Sequence, residues 1–287
     1  MIRPSRVRIA DCAGAFEHVP VETFPKDPDG SGRTRTPRIS VVIPALNEEE
    51  PIADVVRAVA RQDVDEIIVV DNGSTDGTAE RAGRAGARVV KEPQPGYGRA
   101  CRAGVKAVHP GTDIIVFLDG DGSDCAELMD RIVGPLVAGT HDFVIGSRTR
   151  GKRESGSMTT QQLLAGWLAG TLMQLLYGVR YTDMCPFRAI RRDALERLQM
   201  REQTYGWNLE MQMRAAQAGL RVLEVPVDHR RRAGGRSKVS GTFKGTVLAG
   251  ARILTTFVRI AWGSRSVSSQ VARVAPSSPV NTERKHR

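Results

Sequence analysis

Short apolar runs alternate with amphipathic stretches through the first half of the chain, and each run stops at a polar cluster. Continuous apolar runs predict buried strands, whereas apolar residues at i, i+3 and i+4 predict helices. The pattern predicts strands at 39–43, 67–70, 88–90, 114–118 and 143–145, with helices between them. Such alternation is typical of the α/β class, in which helices cover both faces of a mostly parallel sheet.

The second half of the chain has fewer predicted strands, at 187–190 and 222–227, and a helix at 207–218. A further helix at 158–178 lies in a segment, 155–179, that contains no charged residue. Its apolar centre is interrupted by Gly166 and Gly170 and is shorter than the roughly 20 residues of a bilayer span. We therefore predict a buried or membrane-surface helix.

Residues 243–261 have the pattern of a basic amphipathic helix. Phe243, Leu254 and Phe257 share an apolar arc, and Lys244 and Arg252 share a basic one. Such a helix packs on its own domain or lies on an anionic bilayer, and the pattern leaves both open.

Composition divides the chain into three parts. Residues 1–37 and 263–287 lack a sustained apolar period and are predicted to be a flexible extension and a disordered basic tail. Residues 38–262 are predicted to form the folded domain, whose two halves, 38–150 and 151–262, differ in their pattern.

The net charge of +10 indicates an anionic partner, which could be a phosphorylated substrate, a membrane surface or a nucleic acid. Much of the excess lies in the tail and in one loop, and aromatic residues make up 5%, so no specific nucleic acid is expected. The four cysteines lack Cys-x-x-Cys spacing and no signal peptide is evident, so the protein is predicted to be cytoplasmic. If it binds a membrane, it is predicted to be peripheral on the inner face of the cell membrane.

Candidate chemistry centres on the sequence IIVFLDGDGSD at 114–124, where a buried strand ends at Asp119 and Asp121. Two carboxylates just beyond a strand can bind one hard cation, such as Mg²⁺ or Mn²⁺, together with substrate phosphates. The alternative is a polar turn, for which Asp and Gly are also the usual residues.

Polar clusters at 47–50 and 71–76 also follow predicted strands. In parallel sheets ligands bind beyond the carboxyl ends of the strands, so the three clusters should converge. The chain has neither the Gly-x-Gly-x-x-Gly of dinucleotide folds after its first strand nor a Walker phosphate loop.

Eight segments occur in the order found in glycosyltransferase family 2, which the chain resembles over about residues 39–250: VVIPALNEE, VVDNGSTDGT, GYGRA, FLDGDGSD, GSR, TDMCPFRAIRRDAL, YGWNLEMQMRA and GGRSKVSG. The resemblance is strongest to the branch of dolichyl- and polyprenyl-phosphate sugar transferases. It implies a GT-A fold, a UDP- or GDP-sugar donor, a bound Mg²⁺ or Mn²⁺ and inversion at the anomeric centre. It also implies that residues 38–150 form the nucleotide-sugar half of the domain and that residues 151–262 form its acceptor half.

The resemblance also implies roles for individual residues. Nucleotide-sugar contacts are implied for Pro44, Asn47, Glu48, Asp71, Gly73, Gly98, Arg99, Asp119, Gly120 and Asp121. Asp119 and Asp121 would hold the metal. Catalytic roles are implied for Asp119, Asp121, Asp183 and Glu210. Contacts with the acceptor or its phosphate are implied for Arg148, Arg188, Arg232, Arg236, Ser237 and Lys238.

The acceptor stays open at this stage. A lipid phosphate is already anionic and needs positioning by arginines more than a base, whereas a hydroxyl needs Asp183 or Glu210 to take its proton. A small soluble phosphorylated acceptor is the alternative. The chain departs from many members of the family in two respects. It has Pro186 where they carry a glycine before the phenylalanine. It also lacks the paired C-terminal membrane helices of some branches, so any membrane contact should be peripheral.

Overall fold

The computed structural model describes residues 35–233, Thr255 and residues 257–260. The strands are β1 (Ile39–Ala45), β2 (Glu66–Asp71), β3 (Arg88–Lys91), β4 (Ile114–Phe117), β5 (Phe143–Ser147), β6 (Arg188–Arg191) and β7 (Val222–Pro226). The helices are α1 (Ile52–Ala60), α2 (Thr78–Arg84), α3 (Tyr97–Ala107), α4 (Met129–Val137), α5 (Thr160–Tyr177), α6 (Arg192–Leu198) and α7 (Trp207–Gln217).

Within the described residues these strands form one sheet in the order β3-β2-β1-β4-β6-β5-β7. β6 runs antiparallel to both of its neighbours, and the other pairings are parallel. The predicted α/β class with a mostly parallel sheet is confirmed. The chain order reverses between β1 and β4, and this reversal is where open α/β sheets bind ligands.

The central strands form the core because their side chains are apolar on both faces. Every residue of β1 and β4 is buried, which explains why their sequences are continuous Val and Ile runs and not alternating ones. β1 continues beyond the predicted end at residue 43 and includes Pro44. The ladder with β4 ends at the pair Val42 and Phe117, so the missing N–H of Pro44 costs no hydrogen bond with β4.

The uncharged segment forms α5, which begins at a capping box of Thr159 and Gln162 and ends at Gly178 in the left-handed conformation. One side packs tightly, since a Cβ on Gly170 would collide with the carbonyl of Tyr181. The opposite side exposes large apolar side chains, of which Trp167 is 64% exposed, together with Leu164, Leu175 and Leu176. Within the described part of the chain, no helix is long and apolar enough to cross a bilayer.

Two predictions differ from the structure or fall partly outside it. Helix α6 was not predicted, because seven residues rich in charge give a weak period. Of the helix predicted at 243–261, Thr255 and residues 257–260 are described as helical, with Phe257 and Ile260 buried against the core. The flexible extension and the basic tail lie outside the described residues, apart from residues 35–37.

Candidate active site

The carboxyl ends of β1, β2 and β4 bring the three predicted polar clusters to one edge of the sheet. Ala45 and Asp71 are paired across β1 and β2, and β4 ends two residues before Asp119. Asn47 and Asp119 therefore follow neighbouring strands and Asp71 ends the strand beside them, so the three clusters meet as the sequence predicts.

Three carboxylates lie together after β4. Asp121 accepts hydrogen bonds at Oδ1 from the backbone N–H and the hydroxyl of Ser123, at 2.9 and 2.6 Å. Asp124 accepts one from the backbone N–H of Asp119 at 3.1 Å. Burial and then the charge of Asp121 raise the pKa of Asp119 well above its ordinary value and that of Asp124 to about 7. Three ionised carboxylates are therefore unfavourable here, and the cluster favours a bound proton or cation.

Tyr97 and Gly120 shape this cluster. The hydroxyl of Tyr97, the first residue of α3, donates to Asp119 Oδ1 at 3.1 Å. Tyr97 lies in the GYGRA segment but was not predicted as a site residue. A Cβ on Gly120 would lie 3.2 Å from Ile52 Cδ1 and 3.3 Å from Ala45 Cβ, so the loop after β4 packs closely on the end of β1.

His229 stands beside the carboxylates and was also missed as a candidate. Its ring is buried, and Nδ1 lies 3.8 Å from Asp124 Oδ1 with no hydrogen-bond partner among the described residues. Burial, with a contribution from the charge of Arg148, lowers its pKa to about 4, so the imidazole is neutral near pH 7. In the sequence, His229 is the first residue of the basic run 229–238, and this position could have identified it as a candidate site residue.

These side chains fit a divalent cation. An unpaired buried imidazole nitrogen beside Asp121 and Asp124 is a donor set that suits Mn²⁺, and the carboxylates alone suit Mg²⁺. Across the described residues, no three His, Cys, Asp or Glu side chains converge on one metal position. A cation here would need further ligands, as Mg²⁺ sites commonly obtain from substrate phosphates.

The predicted nucleotide side is built from the loops after β1 and β2. Asn47 has φ +50°, and its Oδ1 accepts the backbone N–H of Thr75 at 2.8 Å. Asp71 is buried, and its Oδ1 accepts the backbone N–H of Ser74 at 2.9 Å. Gly73 has φ +83° within that turn. The two loops are therefore fixed to each other at the sheet edge.

A third loop, between β3 and α3, is held against the second by Asn72. Its side-chain amide donates to the carbonyls of Glu92 and Gln94 at 2.9 and 2.8 Å and accepts the N–H of Gly96 at 2.8 Å. Asn72 is buried, and sequence analysis noted it only as part of the cluster at 71–76.

Gly98 and Arg99 contact the segment 202–204. A Cβ on Gly98 would collide with the carbonyl of Glu202, and Arg99 donates twice to the side chain of Gln203, at 2.9 and 2.6 Å. Both residues therefore lie at the amino end of α3 and pack on the segment 202–204. Their contact with a nucleotide stays a prediction.

Asp183 and Arg148 form a buried ion pair. Two parallel hydrogen bonds of 2.7 Å join the guanidinium to the carboxylate, which also accepts the N–H of Arg148 and of Met184. Burial opposes ionisation, but the charge and hydrogen bonds of Arg148 hold the pKa of Asp183 below its ordinary value. The two side chains satisfy each other's charge and hydrogen bonds. In this arrangement Asp183 is not available as a base, and Arg148 is not available as a separate phosphate ligand.

Arg188 and Glu210 lie in buried hydrogen-bond networks, and their predicted roles stay predictions. Arg188 is fully buried and donates to the backbone carbonyls of Cys185 and Asn208, which argues against direct contact with an acceptor. Glu210 is 2% exposed, and its carboxylate accepts two backbone N–H groups at 201–202 and Nε of Arg214. Arg188 holds two backbone carbonyls, and Glu210 holds two backbone N–H groups together with the side chain of Arg214.

Arg232 lies on the acidic cluster and not toward an open acceptor face. Its Nε is 2.6 Å from Asp121 Oδ2, and its Nη2 donates to Glu48 Oε1 at 3.1 Å. Glu48 is itself buried, and its backbone N–H donates to the hydroxyl of Thr78. The other members of the predicted basic loop, Arg236, Ser237 and Lys238, lie outside the described residues.

Comparison with known proteins identifies the relatives of this chain. The sequence profile of the family described as Glycosyl transferase family 2 matches residues 40–199. An uncharacterized glycosyltransferase of Mycobacterium tuberculosis is 39% identical over 213 residues, which are 74% of this chain and 94% of that protein. The undecaprenyl-phosphate mannosyltransferase of Micrococcus luteus is 30% identical over 223 residues, 72% of this chain and 90% of that protein.

Solved structures agree with these relatives. The glucosyl-3-phosphoglycerate synthase of Mycobacterium tuberculosis, in complex with Mn²⁺, UDP-glucose and phosphoglyceric acid, superposes with a TM-score of 0.63 at 27% identity. The match covers 78% of this chain and 80% of that one.

Proposed function

Because the chain belongs to glycosyltransferase family 2, we propose that it moves a sugar from a nucleoside-diphosphate sugar, with inversion, to a polyprenyl-type lipid phosphate. The observation that carries the proposal is the cluster of Asp119, Asp121 and Asp124 at the carboxyl end of β4, next to the loops of Asn47 and Asp71. The resemblance to sugar transferases that act on polyprenyl phosphates supports the class of acceptor.

Asp121, with Asp119 or His229, would hold Mg²⁺ or Mn²⁺. When bound, such a cation stabilises the negative charge that develops on a leaving diphosphate. Tyr97 keeps Asp119 oriented in the cluster through its hydroxyl hydrogen bond. Relatives that bind Mn²⁺ or Mg²⁺ together with UDP support this assignment.

Asp71 would recognise the base and the loop of Asn47 and Glu48 would border the ribose. A carboxylate only accepts hydrogen bonds, so it matches the imide N–H of uracil or guanine. Ser74 already donates to Oδ1 of Asp71 and fixes the orientation of the carboxylate. Asn72 supports the recognition by holding the loop at 92–96 beside this position.

The surroundings of Asp183 and Glu210 support an anionic acceptor. A hydroxyl acceptor needs a base to take its proton, but both predicted bases are engaged in charge-assisted or multiple hydrogen bonds. The oxygen of a phosphate monoester is already ionised near pH 7 and attacks without a base, so the site has to orient it and does not have to deprotonate it.

The exposed side of α5 supports a lipid as carrier of that phosphate. Trp167 and Leu175 are 64% and 75% exposed, and the helix has no charge that would oppose contact with acyl chains. We propose that this side rests on the inner face of the cell membrane, which would make the protein peripheral.

A small soluble phosphorylated acceptor is the second candidate. Several solved structures that resemble this chain are named as glucosyl-3-phosphoglycerate synthase, and some of them hold phosphoglyceric acid. A cleft at the amino end of α5, lined by Gly151, Arg153 and Ser157, offers a basic side chain to such an acceptor.

Product analysis separates the two acceptors. The full chain is incubated with Mn²⁺ or Mg²⁺ and a panel of UDP- and GDP-sugars, in parallel with a polyprenyl phosphate in detergent and with 3-phosphoglycerate. Mass spectrometry should show a lipid phosphate heavier by one sugar. Product from 3-phosphoglycerate alone would favour the second candidate, and product from neither would reject phosphate-bearing acceptors of these two kinds.

A further inference from the structure

Arg232 occupies the position at which a cation would meet Asp121. Its Nε lies 2.6 Å from Oδ2 of Asp121, while Oδ1 of the same carboxylate accepts the N–H and hydroxyl of Ser123. The backbone holds the arginine there, because the N–H of Ala233 donates to the carbonyl of Asp121 and that of Arg230 to the carbonyl of Ser123. Both oxygens of Asp121 are therefore engaged.

A cation and the guanidinium compete for that oxygen. A carboxylate oxygen can bind a metal and accept an N–H at the same time, but the positive charge of Arg232, whose Nε lies 2.6 Å from Oδ2, repels a second cation at the same atom. Arg232 therefore weakens Asp121 as a metal ligand for as long as it stays on Oδ2.

We propose that Arg232 is a built-in counterion, which holds Asp121 when no donor is bound and moves to the donor's diphosphate when a cation takes its place. The inference rests on the proposed function, since it requires a nucleoside diphosphate and a metal. It adds one consequence: Arg232 makes the binding of cation and nucleotide more cooperative than shared metal–phosphate contacts alone would. The nucleotide draws the guanidinium away from Asp121, and this carboxylate is then free for the cation.

Three observations make the exchange favourable. The side chain of Arg232 is 31% exposed, so it can swing without opening the core. Its Nε is close to Asp121 without being aligned for a hydrogen bond, so the contact it gives up is incomplete. A diphosphate offers the planar guanidinium paired oxygens in a better geometry.

The small number of side chains that could bind a cation also supports cooperative binding of cation and nucleotide. Since no three suitable side chains converge within the described residues, a cation without phosphate has few ligands and also competes with Arg232. Cation alone should bind weakly, and nucleotide should strengthen its binding.

Titration of the full chain with Mn²⁺, followed by the electron paramagnetic resonance of free Mn²⁺, tests the exchange without turnover. Three proteins are compared, each alone and with saturating UDP or GDP: the wild type, Arg232→Gln and Arg230→Gln. Arg230 is the control for the loss of one nearby positive charge, since it pairs with Glu127 and does not contact Asp121.

Arg232→Gln should bind Mn²⁺ alone about threefold to tenfold more tightly than wild type, the range expected for release of a partly exposed ion pair. The gain in Mn²⁺ affinity caused by the nucleotide should shrink in this variant and persist in Arg230→Gln. Arg232→Lys, which keeps the charge, should stay closer to wild type and serves as the second variant if the glutamine protein is unstable.

Equal or weaker binding of Mn²⁺ alone by Arg232→Gln would overturn the inference, provided wild type shows nucleotide-dependent Mn²⁺ binding. A tighter affinity in Arg230→Gln of the same size would also overturn it, because general charge would then explain the effect. Wild type that binds no Mn²⁺ with either nucleotide would contradict the metal-dependent function itself, together with this inference.

Discussion

Arg148 and Asp183 face each other through two parallel 2.7 Å hydrogen bonds in the interior, where Asp183 is 3% exposed. Breaking a buried pair leaves an uncompensated charge, so Asp183→Asn should lower the free energy of unfolding by about 3–5 kcal/mol. Urea denaturation measures this loss. Asp193→Asn, at a carboxylate that is 63% exposed, is the control and should change stability by less than about 1 kcal/mol. An unchanged midpoint for Asp183→Asn would contradict the structural role of the pair.

Asp71 provides a prediction about the nucleotide. Asp71→Ala removes a charged acceptor from a buried site and should weaken the binding of UDP or GDP by about 1.5–3 kcal/mol. Asp71→Asn keeps an oxygen for Ser74 but presents an N–H to the base, so it should weaken binding in the same direction. Calorimetry in the presence of Mn²⁺ measures both, with Asp54→Ala on the exposed face of α1 as control. Unchanged affinity in both Asp71 variants would remove this residue from base recognition.

Asp124 makes stability depend on pH. Its native pKa of about 7 exceeds the unfolded value of 3.8, so the folded protein keeps the proton that the unfolded chain releases. Between about pH 4 and pH 7, stability contributed by this group is therefore lost as pH rises.

Asp124→Asn removes this loss while keeping an oxygen for the N–H of Asp119. We expect the difference in melting temperature, variant minus wild type, to become more positive from pH 5 to pH 8 when both proteins are measured without metal. Each kcal/mol corresponds to about 2–4 °C for a domain of this size. A difference that is constant with pH, or that falls, would contradict the raised pKa.

Membrane binding should depend on the outer side of α5. Wild type should float with vesicles that contain anionic lipid, and less so as salt is added. Trp167→Gln with Leu175→Gln should reduce flotation, since each side chain loses about 1.5–3 kcal/mol of apolar transfer free energy.

Val137→Gln, at an exposed apolar residue of α4, is the control for that experiment and should float like wild type. Absence of flotation at low salt would contradict a membrane surface on α5, as would equal flotation of the double variant.

The fold was largely predictable because its strands carry strong local signals. β1, β2 and β4 are continuous runs of buried Val and Ile, and their boundaries differ from the predicted ones by one or two residues. Helix α6 was missed, since its seven residues include Arg192, Asp193 and Glu196 and its buried positions are Ala194, Leu195 and Leu198.

Individual roles in the site were harder to predict, because they depend on contacts between distant segments. Asp119 and Asp121 follow a strand in sequence and were found, whereas His229 reaches the same cluster from a segment more than 100 residues away. Arg188 and Glu210 match family motifs, but only the packed structure shows that their hydrogen bonds are already satisfied by backbone groups. Arg232 was predicted to bind phosphate, and the structure adds its contact with Asp121.

The most direct test of metal-assisted glycosyl transfer is product formation by wild type, Asp121→Asn and the surface control Asp130→Asn, measured by mass spectrometry across a Mn²⁺ titration. Wild type and the control should form a glycosylated phosphate acceptor from a UDP- or GDP-sugar. Asp121→Asn should remain folded, but its turnover should be lower by about a hundredfold or more, as expected for removal of a group that stabilises developing charge. Near-normal turnover by Asp121→Asn at every Mn²⁺ concentration would contradict the account.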